Sequence, residues 1–243
     1  METGQYRIKS TEVGTLLPAY GVTSPEVIAE IARVIDTSHQ AWWGAYANVL
    51  PSTYADLIAL ENEATVIRCY SPQLIGALLQ TPAYAHALIS SSPRASTQKT
   101  ASALVQVRQG RREILTRPDN PTELRTVIDE SALHPRAGAA ADLMRDQLLI
   151  LLSMTERENV TLRVMPLDAP LNPGLTSNMT IMKFGDPWQP VAMVDHNRGG
   201  VFLEAPEDVN AFTEVFDSVY ESALPPNQSR ELIKKYLKGN TYA

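Results

Sequence analysis

A chain of 243 residues, 44% hydrophobic and 20% charged, carries enough apolar material to build a core and is sized for one or two globular domains rather than for disorder. Its formal net charge of -6 opposes the counterion release that drives nonspecific association with nucleic acid, so no direct nucleic-acid partner is expected. Cys69 is the only cysteine, which excludes an intrachain disulfide, and no Cys or His spacing suits zinc. The segment Met1 to Ser10 has no apolar signal core, and nowhere do about 18 apolar residues run together. The expectation is a cytoplasmic protein with no metal, no cofactor and no membrane partner.

In chain order, residues 1 to 22 are polar and poorly periodic, and Thr23-Ser24-Pro25-Glu26 then reads as a capped helix start with proline in the first turn. Val27, Ile31, Val34 and Ile35 recur at helical spacing until the pattern lapses at Thr37 to His39. Trp42, Trp43 and Tyr46 cluster before Leu50-Pro51, an arrangement met in cores and interfaces as well as in binding sites. Leu57, Leu60, Ala64 and Ile67 predict one helix from Tyr54 to Tyr70, and on it Glu61 and Arg68 fall on the same side, facing the interior or a cavity rim. A buried ion pair and a ligand anchor are both open for these two.

Leu74 to Ile89 reads as a short helix broken at Pro82, and Thr97 to Leu115 as a long helix ended by Arg117-Pro118-Asp119-Asn120-Pro121. Arg108, Arg111, Arg112 and Arg117 are a basic run with Asp119 and Glu123 close behind, best explained as a solvated helix face. Leu124 to Ile128 alternates as a strand, and Gly138 to Glu158 is helical. Strands follow at Val160 to Leu167, Met179 to Phe184, Val191 to Asp195 and Val201 to Glu204, the last two joined by a turn at Asn197 to Gly200. Asp208 to Ala223 and Ser229 to Leu237 are amphipathic helices. The fold class is α+β, with a helical N-terminal half followed by a mostly antiparallel sheet and packed helices.

The ordered strings Trp42-Trp43, Leu60-Glu61-Asn62-Glu63-Ala64, Leu78-Leu79-Gln80-Thr81-Pro82, Asp129-Glu130-Ser131-Ala132-Leu133, Val164-Met165-Pro166 and Phe216-Asp217 span about residues 40 to 233. In this order they resemble the C-terminal domain of unknown function of actinomycete XRE-type helix-turn-helix regulators, antitoxin-like members among them. The resemblance implies a remnant helical segment over residues 1 to 40, a ligand- or partner-binding domain over 41 to 238 and a tail over 239 to 243. It also implies that most of the helix-turn-helix has no counterpart here, since only Gln5 to Gly21 looks like the end of such a module.

No Walker loop, dinucleotide fingerprint, His-Glu-x-x-His helix or Gly-x-Ser-x-Gly elbow is present, so any chemistry rests on ordinary acids and bases. Candidate catalytic groups are Glu61, Glu130 and His196. Candidate substrate-binding groups are Arg68, Trp42, Trp43, Tyr46, Tyr70 and Asp195. Each has a plainer explanation: Glu130 can cap the helix after its strand, His134 can be a surface loop residue, and Asp195 with His196 can serve a turn. Met165, Met179, Met182 and Met193 can fill core or line an adaptable cavity. The expected function is a small-molecule-binding protein of regulator descent turned biosynthetic enzyme. It would carry out an acid-base condensation or cyclisation, Pictet-Spengler-like, on a small aromatic or amine-bearing metabolite. The competing expectation is a noncatalytic protein of regulatory type that binds a ligand or partner. A homodimer covering the aromatic cluster is a further expectation.

Overall fold

The computed structural model describes residues 8–39, 41–92, 97–134, 141–176, 178–196 and 199–239. Its contacts divide the chain into two compact units, Met1–Asn48 and Val49–Ala243.

The first unit holds α1 (Ser10–Ala19) and α2 (Pro25–His39), followed by a 3-10 turn over Trp42–Tyr46. Helix α1 lies in the polar, poorly periodic stretch that the resemblance placed in a remnant helical segment. Glu12 explains it, because its carboxylate accepts the Lys9 backbone N–H at 2.9 Å and satisfies a donor at the helix start. Ser24 caps α2 by accepting from the Val27 backbone N–H at 3.4 Å. That helix runs through Thr37 to His39, where the apolar pattern fades. Trp42 meets Trp43 edge to face at 5.6 Å between ring centroids, and Tyr46 at 6.4 Å. All three rings lie in this unit, although the sequence grouped them with the larger domain.

The second unit is built on one six-stranded sheet of order β3-β2-β1-β4-β5-β6. The strands are β1 (Val66–Ser71), β2 (Glu123–Asp129), β3 (Val160–Met165), β4 (Met179–Lys183), β5 (Val191–His196) and β6 (Gly199–Leu203). Strand β1 pairs in parallel with β2, and β2 with β3. The pairs β1–β4, β4–β5 and β5–β6 are antiparallel. The structure thus has the expected α+β class, with its helices before and around a mixed sheet in which antiparallel pairs outnumber parallel ones. The two parallel pairs arise where helices intervene: α4 (Pro82–Ser90) and α5 (Gln98–Arg111) between β1 and β2, and α6 (Ala141–Met154) between β2 and β3.

One expected element is overturned. The helix predicted from Tyr54 to Tyr70 stops early: α3 covers Ser52–Glu63, and Val66–Ser71 is β1. Ala64 turns extended at φ -67, ψ 133, and the β-branched run Thr65-Val66-Ile67 finds strand partners on both sides, which outweighs a local helical pattern. Glu61 and Arg68 therefore do not share a helix face. Pro82 likewise starts α4 instead of breaking a helix, with Thr81 capping it through the Tyr84 backbone N–H at 3.1 Å. The turn residues Asn197 and Arg198 lie outside the described residues, as do Gly138 to Ala140 of the expected α6 start.

Alternation along the strands splits the core in two. Ile67, Leu124, Ile128, Leu162, Val164 and Met182 pack on one side with Leu57, Leu79, Leu148, Leu151 and Ile233, the last of these from α8 (Pro226–Gly239). Tyr70, Val127, Met165, Ile181 and Ala192 pack on the other with Val209, Phe216 and Val219 of α7 (Pro206–Ser222). Buried polar groups act as joints between layers. Gln147 accepts the Thr81 N–H at 2.7 Å and donates to the Leu79 carbonyl at 2.7 Å, fixing the turn between β1 and α4. The Thr122 hydroxyl donates to the Ala64 carbonyl at 2.9 Å, holding the α3 end against the start of β2.

Gly174 sits under α7 where a side chain has no room, because a Cβ there would lie 2.3 Å from Val219 Cγ2 and 2.9 Å from Tyr70 Cε1. Gly174→Ala should therefore lower the unfolding free energy by about 1–3 kcal/mol, read by urea denaturation against wild type. An unchanged midpoint would mean that this loop yields without cost.

Candidate functional site

Between the sheet and the helices on the α3 side lies a cavity of about 1150 Å³. That is at or above the upper end of the roughly 300–1,000 Å³ used by small-molecule sites. Its floor is the alternate set Ile67, Cys69 and Ser71 of β1 with Thr126, Thr180, Met193 and Asp195. Tyr54, Leu57 and Glu61 face it from α3, and Leu104, Arg108 and Arg111 from α5. Both triplets have the three- and four-residue steps that put side chains on one helical face. Leu78 and Leu79 of the turn after β1, with Leu88 and Ile89 of α4, complete an apolar wall.

Of its polar centre, Glu61 was among the expected site residues and Arg111, Arg108 and Tyr54 were not. Arg111, buried with 5% of its side chain exposed, grips the equally buried Glu61 through two parallel bonds, Nε to Oε2 and Nη2 to Oε1, each 2.7 Å. Its remaining Nη1 donates to the Tyr54 hydroxyl at 2.8 Å, and its plane lies 5.1 Å from the Tyr54 ring centre. Burial opposes the charge on Arg111, but Glu61 and then Tyr54 hold it protonated above its ordinary range. One turn back, Arg108 Nη1 donates to Gln80 Oε1 at 2.9 Å, while its buried Nε has no partner among the described residues. Gln80 is itself fixed by donating to the Ile75 carbonyl at 2.6 Å. The basic run expected on a solvated face is thus turned inward at Arg108 and Arg111. Neither net composition nor charge density reports that; the spacing of Leu104, Arg108 and Arg111 is the signal that does.

Tyr54 and Cys69 also have shifted acidities. Burial works against ionisation of Tyr54, but Arg111 and Arg108 outweigh it and lower its pKa below 10.0. Because the hydroxyl already accepts from Arg111, its own proton is free to be donated. Burial pushes the Cys69 thiol up to about 11, with Glu61 adding to the rise and Thr126 and Arg111 opposing it. Cys69 Sγ donates to Thr126 Oγ1 at 3.1 Å. It is therefore a neutral thiol at physiological pH and a weak nucleophile.

Of the sequence-derived candidates, Glu61, Tyr70 and Asp195 border the cavity. Both Glu61 oxygens are taken by Arg111. The Tyr70 ring packs in the α7-side cluster, and its buried hydroxyl has no hydrogen-bond partner among the described residues. Asp195 is exposed at the rim, paired across strands with Gly200. Arg68 points to the opposite face of the sheet, where it pairs with Asp217 at 3.1 Å. Glu130 lies away from the cavity lining. It accepts from the Leu167 N–H at 2.9 Å and from the Tyr236 hydroxyl at 2.7 Å, and Tyr236 also meets His134 Nε2 at 2.8 Å. His196 belongs to β5, and its side chain lies outside the described residues. Trp42, Trp43 and Tyr46 are in the other unit.

A family model described as "Domain of unknown function (DUF5753)" matches residues 54–235. The chain belongs to the DUF5753 family. The match takes in both helices that carry the Glu61–Arg111 pair and all six strands, so the cavity of this DUF5753 domain lies almost wholly inside the family's span. No curated protein and no solved structure matches the chain. Among the described residues of the DUF5753 chain, no three His, Cys, Asp or Glu gather as a metal site would need, and no helix is long and apolar enough to cross a membrane.

Glu61→Ala should leave Arg111 as an unpaired buried charge and cost about 3–5 kcal/mol of unfolding free energy. A loss below about 1 kcal/mol in chemical denaturation would mean that water reaches and solvates Arg111. Cys69 should add a pH dependence with a definite sign. Its folded pKa of about 11 exceeds the unfolded 9.0, so its contribution is fully present below pH 9.0 and is lost as pH rises toward about 11. Across that window wild type should lose about 2–3 kcal/mol more stability than Cys69→Val. Parallel pH profiles of the two proteins would show that the thiol ionises as freely folded as unfolded.

Proposed function

We propose that the DUF5753 unit is a small-molecule-binding domain whose ligand occupies the cavity between the sheet and helices α3 and α5. The observation that carries this is the composition of that space: a largely apolar wall around a few convergent polar groups, one of them the Arg108 guanidinium, which donates to the Gln80 amide and whose buried Nε has no partner among the described residues. Apolar walls supply affinity, and few fixed polar groups supply orientation. The ordered strings shared with the ligand- or partner-binding half of actinomycete XRE-type regulators support a sensory ancestry. The acidic chain, at -6, supports an output that does not pass through direct contact with DNA.

A catalytic reading has one observation of its own in favour, the acidified Tyr54 hydroxyl with its proton directed away from Arg111. In a condensation or cyclisation such a group protonates a leaving oxygen or nitrogen and recovers the proton later. Glu61, held by Arg111, would then position Tyr54 through that arginine instead of acting as the base itself.

Native mass spectrometry of the protein after incubation with extract of its own producing cells tests both readings. The expected result is a retained small molecule, displaced in the cavity-filling variant Ala77→Trp while thermal unfolding stays unchanged. No retained mass, with wild type and Ala77→Trp indistinguishable, would sink the binding reading. Conversion of an extract metabolite that is lost in Tyr54→Phe would add catalysis to it.

A further inference from the structure

The cavity holds an unbalanced charge. Four ionisable side chains of ordinary carboxylate or guanidinium type line it, namely Glu61, Arg108, Arg111 and Asp195. Glu61 and Arg111 cancel each other in a closed bidentate pair. Asp195 stands on the floor at the exposed rim. The registers Cys69↔Thr180 and Thr180↔Met193 put it two strands from β1 and two residues beyond the level of Cys69. With about 4.8 Å between strands and about 3.3 Å per residue, Asp195 stands roughly 12 Å from Cys69, above which the charged centre is built. Arg108 is left with the Gln80 amide and the Tyr54 hydroxyl, and with a buried Nε that has no acceptor among the described residues. A half-buried cation with an orphaned donor is costly unless an acceptor arrives to complete it.

From this we infer that the ligand of the cavity is a monocarboxylate with an apolar body, its carboxylate seated on Arg108 and Tyr54 and its far end directed to the rim at Asp195. The inference rests on the binding reading above and narrows it. The planar fork of arginine matches a carboxylate, and the Tyr54 O–H supplies a further donor beside it. A phosphate would bring close to two charges to a site with one uncompensated cation. Leu57, Leu78, Leu79 and Met193 also line the cavity, which suits an aryl or alkyl body. Asp195 repels a second anion there, so the cavity discriminates between monoacids and diacids as well as between acids and neutral amides.

The test is a matched panel of phenylalkanoates from phenylacetate to phenylhexanoate, their primary amides, and α,ω-alkanedioates of similar length, titrated into the full chain carrying methyl-labelled methionine. The Met193 methyl signal is the reporter. Some monoacids should bind about tenfold or more tightly than their amides and than the diacids, the weight of one charge-assisted hydrogen bond. Arg108→Gln should erase the acid-amide difference, and Arg108→Lys should keep part of it. Should Arg108→Gln fail to fold, Arg108→Lys and Tyr54→Phe carry the same comparison, each expected to narrow the difference. Acids and amides binding equally in wild type would overturn the carboxylate assignment while leaving the cavity as a binding site. A panel that never moves Met193 also overturns it, and the retention experiment then decides separately whether anything binds there.

Discussion

The Glu61–Arg111 pair ties α3 to α5 across the top of β1, and the geometry of the cavity follows from it. Two charges removed from water are expensive, and only the bidentate geometry with a third bond to Tyr54 makes their burial tolerable. Once Arg111 is held there, the face of α5 that carries it must point inward, and Arg108 goes with it. Hydrophobic packing alone would accept several rotations of α5. A buried ion pair accepts one, and specificity of orientation is what it contributes beyond stability.

The sheet supplies the other half of the constraint. Strand β1 lies between a parallel partner and an antiparallel one, so the helical crossovers leave on the β2 side while the meander β4-β5-β6 extends the floor on the other. The floor is consequently built from both halves of the chain, and the roof from the first half alone. Apolar residues from the meander, Met193 above all, meet polar residues from the helices. This asymmetry gives the cavity a charged end and a greasy path.

Much of this arrangement could be read from sequence where the local pattern and the tertiary context agree. The strands near Leu124, Val160, Met179, Val191 and Val201 alternate because each is covered differently on its two faces, and the helices at Asp208 and Ser229 carry plain apolar stripes. Reading failed where long-range partners decided. Ala64 to Tyr70 continues a helical pattern by composition, yet Thr65, Val66 and Ile67 sit between two strands that lie far away in sequence. The arginines of α5 look like solvent residues until Glu61, fifty positions earlier, is brought beside one of them. Of the chosen site residues, Glu61, Tyr70 and Asp195 border the cavity. Arg68 faces the other layer because a strand reverses side chains at every residue where a helix does not.

The Thr65 N–H bonds to the Lys183 carbonyl across 118 positions of chain. Contacts of that range form late, because the entropy of closing so large a loop must be met before they return anything. In chain order α3, β1, α4 and α5 come well before β4 and β5, so β1 leaves the ribosome before its antiparallel neighbour has been made. The cavity is thus closed only when the meander docks and brings Thr180, Met193 and Asp195 to its floor.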